Sequence, residues 1–113
     1  MTSNVKKGQL LEKKARDELI IAGYVIWFRS IRTRFQRQDF ANLFDIVAVK
    51  NGERLFISVK SYVTESRHKQ HLLDVEHFCN EYGLRNEVFT VWFWNSEDVE
   101  WDKRVWEKND DTK

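Results

Sequence analysis

The chain is 113 residues long, enough for one domain with a real core and too short for two. Apolar residues make up 42% of it, with eight Phe, five Trp and three Tyr, which argues for a packed globule and against disorder. A net charge of +1 excludes a chain drawn to nucleic acid by overall charge, and the single cysteine, Cys79, excludes an internal disulfide framework and fits a reducing compartment.

Residues 1–7 are polar and expected to fray. No signal peptide is visible, so the protein is expected to be soluble, intracellular and cytoplasmic. From Gly8 to about Ala22, Leu11, Ala15, Leu19 and Ala22 recur at helical spacing, and Gly23 supplies the stop. Glu12 falls on the edge of that apolar stripe, where a charge is out of place; an i,i+4 pair with Arg16 is its ordinary reading. Tyr24 to Arg29 alternates and is aromatic-rich, which predicts a first strand. Ser30 to Asn42 lacks periodicity and reads as an exposed loop, long enough to be functional or mobile.

Phe44 to Lys60 reads as two strands around Asn51-Gly52, the strongest short-range hairpin signal. That turn sets Lys50 against Glu53, Asp45 against Ser58 and Leu43 against Lys60. One face then carries Phe44, Ile46, Ala48, Leu55, Ile57 and Val59. The other gathers Asp45, Ser58 and Lys60.

A second helix is expected from about His68 to Tyr82, with Leu72, Val75, Phe78, Cys79 and Tyr82 on one face, ending at Gly83. Cys79 on that stripe reads as core. Among His68, His71 and His77 only the 68/71 spacing suits a metal, and no Cys or Asp partner completes a zinc set. Glu87 to Trp94 is a last strand, with Trp92 and Trp94 packed under a helix or at a dimer interface. Its apolar run, Val88 to Trp94, is too short to span a bilayer. Residues 96–113 read as a charged, partly disordered tail with Trp101 and Trp106 as docking anchors. The order helix, three strands, helix, strand predicts an α/β fold with a mixed central sheet and a helix on each face.

A carboxylate pair can hold a hard divalent cation, and a lysine beside it can position the attacking water or stabilise phosphate charge. Asp45 with Lys60 is otherwise an ordinary cross-strand ion pair. Three segments carry a resemblance that runs from Lys7 to about Trp94: Gly8-Gln9-Leu10-Leu11-Glu12 opening the first helix, Leu43-Phe44-Asp45-Ile46-Val47-Ala48, and Ile57-Ser58-Val59-Lys60-Ser61. In these and in its αβββαβ order the chain resembles the PD-(D/E)xK nuclease superfamily, most closely the archaeal-type Holliday junction resolvases. The resemblance implies a restriction-endonuclease-like core (about 7–95) in a single nuclease-like domain, residues 1–113. It also implies Mg²⁺, or Mn²⁺ in its place, held by Glu12 and Asp45. Lys60 would assist the water, leaving a 5′-phosphate.

In one respect the chain departs from that family. The acid of the third strand is Ser58 here, and a hydroxyl is a weak neutral ligand. Three accounts stand beside one another. The acid has migrated to the following helix, as Asp74 or Glu76; Glu12 and Asp45 suffice at reduced affinity; or the protein binds junctions without cutting them, Ser58 being natural or an engineered change that traps an inactive complex.

For DNA contacts the candidates are Lys6, Lys7, Arg29, Arg32, Arg34, Arg37, Arg67 and Lys69, which suit phosphates, and no base-reading motif is present. Ser30 is carried over from the resemblance alone. The function expected is a homodimeric, structure-selective endonuclease that nicks branched or four-way-junction DNA, from an archaeal, viral or phage source. The alternatives are an inactive DNA-binding protein on the same fold and a nuclease for another DNA substrate.

Overall fold

The computed structural model describes residues 4–29, 31–32, 37–38, 40–41, 43–61 and 65–107. Helix α1 runs over Asn4–Ile21, one turn longer at its start than the apolar spacing alone predicts. It ends at Gly23 with φ of 97°, the left-handed conformation that glycine adopts without a Cβ penalty. There Tyr24 N–H donates to Leu19 C=O and Gly23 N–H to Ile20 C=O, both at 3.0 Å. This Schellman closure satisfies carbonyls the helix leaves open and turns the chain back into strand β1 (Val25–Arg29).

The segment read as a loop holds a small two-stranded ribbon, β2 (Ile31–Arg32) with β3 (Arg37–Gln38). Strands of two residues are too short to show any periodicity in sequence. The hairpin follows, β4 (Ile46–Lys50) and β5 (Glu53–Ser61). Asn51 and Gly52 both have positive φ, 54° and 82°, as a two-residue turn matched to the strand twist requires. Its register runs as expected from Lys50↔Glu53 to Ile46↔Ile57.

Beyond Ile46 the pairing departs from the sequence expectation. Asp45 lies in a bend before β4, its N–H donating to Ile57 C=O at 2.8 Å, and no ladder pair joins it to Ser58. Phe44 bridges back to Phe40 instead. The bend breaks the alternation, so Phe44 packs on the opposite side of the sheet from Ile46.

A 3-10 turn (Glu65–His68) leads into α2 (Lys69–Tyr82), which crosses over to β6 (Glu87–Asn95), parallel to β5. Residues expected to form a charged tail instead make β7 (Glu100–Glu107), antiparallel to β6, with Trp101 paired to Trp94 and Trp106 to Phe89. Its alternating charges had hidden it, because an edge strand meets water along much of its length. Residues 108–113, which include the stretch expected to be disordered, lie outside the described residues.

The sheet order is β1-β4-β5-β6-β7, mixed in direction, and the protein is an α/β fold with α1 and α2 on opposite faces. On one face Leu11, Ala15 and Leu19 of α1 meet Ile46, Ala48, Ile57, Val59 and Trp92. On the other, Val75 and Cys79 of α2 meet an aromatic cluster of Phe44, Phe56, Phe89 and Phe93. Phe56 stacks on Phe89 with centroids 4.7 Å apart. Tyr82, expected on the buried stripe, is exposed and touches Phe78 from outside. Among the described residues no helix is long and apolar enough to cross a membrane.

Candidate active site

The end of the sheet where β4 begins and β5 finishes holds the polar residues singled out by sequence. β5 continues to Ser61 after β4 has left it at Ile46, so its backbone amides on that side need new acceptors. Asp45 supplies one: its Oδ2 accepts the Val59 N–H at 2.7 Å. The carboxylate is 1% exposed. A carboxylate has lone pairs for several bonds, so this contact fixes the direction of the group without exhausting its capacity.

Ser58, fully buried, takes a partner from the other layer. Its Oγ lies 2.7 Å from Nε2 of His71 on α2. Two residues on, Lys60 is close enough to His68 for its charge to help hold that imidazole below its ordinary value of 6.5, an effect led by burial and also fed by Arg67. A hydrogen bond from the His68 ring to the Ser61 backbone acts the other way. The ring packs on Phe93 at 5.0 Å, and its Nε2 is buried with no hydrogen-bond partner among the described residues. Both histidines of the i,i+3 pair therefore flank the Ser58-Val59-Lys60 segment, one at each end.

Glu12 is only 3% exposed, buried beside Leu11 and Ala15 of the apolar stripe of α1. Since α1 and β1 are joined by a reversal, the N-terminal half of α1 lies toward the sheet end where β4 starts. Arg16 stands one turn on from Glu12 and is pushed below the usual arginine value by burial and then by Arg29, while Glu12 and Asp17 act in the opposite sense. Arg29 pairs with Ile46 in the ladder, next to Asp45. Taking a carboxylate out of water costs on the order of several kcal/mol unless partners compensate, so two nearly enclosed carboxylates are an expensive feature for packing alone to retain.

The other expected residues fall elsewhere. Asp74 is exposed and accepts a bond from Gln70 Nε2 at 2.9 Å. Glu76 is also exposed and lines a groove of about 400 Å³ with Ser66, Leu72, Leu73 and Trp106. The side chain that α2 brings to Ser58 is thus His71, which the zinc-spacing criterion passed over. Its signal lay in the apolar stripe: His71 precedes Val75, Phe78 and Tyr82 at i+4, i+7 and i+11. Arg29, Arg67 and Lys69 are exposed. Arg32 and Arg37 occupy paired positions of the β2–β3 ribbon. Lys6 and Lys7 sit in the first turns of α1. The side chains of these last four, and Ser30 and Arg34 altogether, lie outside the described residues.

Among the described residues no three His, Cys, Asp or Glu side chains are gathered as a metal-binding group. The donors present, two buried carboxylates and a hydroxyl, are oxygen ligands of the type a hard divalent cation takes alongside several waters. In chemistry the residues fit such an ion, with less charge than three carboxylates would give.

In comparisons with known proteins, the chain matches no protein-family model and no curated protein.

Proposed function

We propose that this protein is a divalent-metal-dependent, structure-selective DNA endonuclease on a restriction-endonuclease-like fold, resembling a Holliday junction resolvase and working inside the cell as a homodimer. The observation that carries the reading is the burial of Glu12 on α1 and of Asp45 in the bend that leads into β4, with Lys60 on β5. In this reading Glu12 and Asp45 hold Mg²⁺ or Mn²⁺. When bound, the ion supplies a Lewis acid for the phosphate and lowers the pKa of a coordinated water. Lys60 donates charge toward the phosphate or the attacking water. The Val59 amide fixes the direction of the Asp45 carboxylate.

The basic residues support the substrate half of the proposal. Arg29 ends β1 beside the bend at Asp45, and Arg16 stands between it and Glu12 in charge terms. Arg32 and Arg37 are paired positions of the β2–β3 ribbon, and arginines of this kind suit contacts to DNA phosphate. A four-way junction is two-fold symmetric, which a dimer with two sites would match.

The test is cleavage of a synthetic four-way junction and of linear duplex, with Mg²⁺, with Mn²⁺ and with EDTA. Paired nicks in the junction alone, lost in EDTA and in Asp45→Asn, are expected. Cleavage of linear duplex at the same rate would point to a nuclease for another substrate. Tight binding without nicks in either metal would leave the second reading, a DNA-binding protein on this fold, which the replacement of an acid by the His71-bound Ser58 favours.

A further inference from the structure

The contact between Ser58 and His71 joins the two layers of the site. Ser58 stands on β5 between Ile57 and Val59, both buried, and its hydroxyl has no exposure to water. A serine hydroxyl in such a place rotates to whatever acceptor is offered. Here α2 offers the imidazole of a half-buried histidine at 2.7 Å, in the first turn of the helix that begins at Lys69. With Nε2 as the acceptor, the Ser58 O–H points at the ring. Its oxygen is then polarised and its lone pairs face away from α2.

We infer that His71 is a positioning residue which, through Ser58, fills the place of the missing β5 acid. It turns the hydroxyl oxygen into an oriented, electron-rich donor for the cation held with Glu12 and Asp45. Asp74 and Glu76 then have no part in it, in keeping with their exposure. This rests on the metal-site half of the proposed function, and it adds a residue that neither motif nor charge pattern assigns. It also predicts a preference: a site with one neutral oxygen in place of a carboxylate, supported by imidazole, tolerates Mn²⁺ better than Mg²⁺, which is the more exacting in geometry.

The experiment is calorimetric titration of the metal-free protein with Mn²⁺ alone, for the natural sequence, His71→Ala, His71→Gln, Ser58→Glu and the double variant Ser58→Glu/His71→Ala. Thermal unfolding of each is followed in parallel. Losing a residue that orients a ligand costs about tenfold or more in metal affinity. His71→Ala should therefore bind Mn²⁺ about tenfold more weakly, and His71→Gln, which can still reach the hydroxyl, should recover part of that. In the Ser58→Glu background the carboxylate ligates on its own, and removing His71 should change affinity less than about twofold.

An unchanged Mn²⁺ affinity in His71→Ala overturns the inference. So does an equal loss in both backgrounds, which would mark His71 as a packing residue only. Should His71→Ala not fold, the same comparison is made with His71→Gln, for which affinity equal to the natural sequence overturns it. Junction cleavage is measured on the same samples. His71-dependent Mn²⁺ binding without cleavage sinks the nuclease reading and leaves the inference standing. Cleavage with no role for His71 does the reverse, and a protein that takes up no Mn²⁺ sinks the inference together with the metal-dependent reading.

Discussion

The Asp45 carboxylate accepts the Val59 backbone N–H at 2.7 Å, across the point where β4 and β5 part. One side chain thereby closes the sheet at that end and is itself held in a fixed direction. Both tasks need an acceptor oxygen, and only the chemistry proposed for the site needs a charge. The two can be separated. Asp45→Asn keeps an oxygen for Val59 and should fold with modest loss of stability, while abolishing metal-dependent cleavage. Asp45→Ala leaves a buried amide without its acceptor and should lose about 1–3 kcal/mol in urea denaturation.

Phe89 is fully enclosed, stacked on Phe56, tilted against Phe44 at 5.7 Å and edge-on to Phe78 at 5.6 Å. It ties β5, β6 and α2 into one core. Phe89→Ala should cost about 3–5 kcal/mol, read as a lower urea midpoint at unchanged slope, and Phe89→Leu about half as much.

β7 covers the edge of β6. Trp101 packs edge-on to Trp94 and tilts against Trp92, while Lys103 lies 4.0 Å over the Trp92 ring. Ending the chain after Asn95 should uncover this surface and give an aggregation-prone protein, seen by light scattering. Trp101→Ala keeps the strand and should remain monodisperse with a loss of about 2 kcal/mol.

His68 carries a pH signature. Burial and the charge of Lys60 favour its neutral form in the folded protein, so the unfolded chain binds a proton more readily. Stability should be fully present above the ordinary histidine value and fall as pH drops through about 6.5, levelling off once the folded-state value is passed. His68→Gln should flatten this part of the stability–pH curve measured by thermal or urea unfolding. A slope unchanged by the substitution would assign the effect to another group.

Much of the sheet was legible from local signals. Asn51-Gly52 fixed a register that the ladder follows from Lys50↔Glu53 to Ile46↔Ile57, because a two-residue turn leaves the strands no other pairing. Leu11, Ala15 and Leu19 marked the face of α1, and Gly23 its end, since helical spacing and the left-handed cap are properties of neighbouring residues. β7 escaped because its charged alternation is also what a solvated tail looks like, and its status as a strand depends on β6 lying beside it. Phe44 escaped because alternation holds only while a strand lasts, and the bend at Asp45 ends it.

The candidate site divides along the same line. The sequence by itself determined that Asp45, Ser58 and Lys60 would lie near one end of a hairpin and that Glu12 would intrude on an apolar stripe, because periodicity and turn geometry act over a few residues. Only the tertiary structure decided that Asp45 would cap the Val59 amide, that His71 and not Asp74 or Glu76 would meet Ser58, and that His68 would stand by Lys60. Those contacts depend on how α2 is set against β5 after the crossover, to a fraction of a helical turn. That angle comes from packing the Phe44, Phe56 and Phe89 cluster against Val75 and Cys79, a sum over the whole core that no local pattern carries.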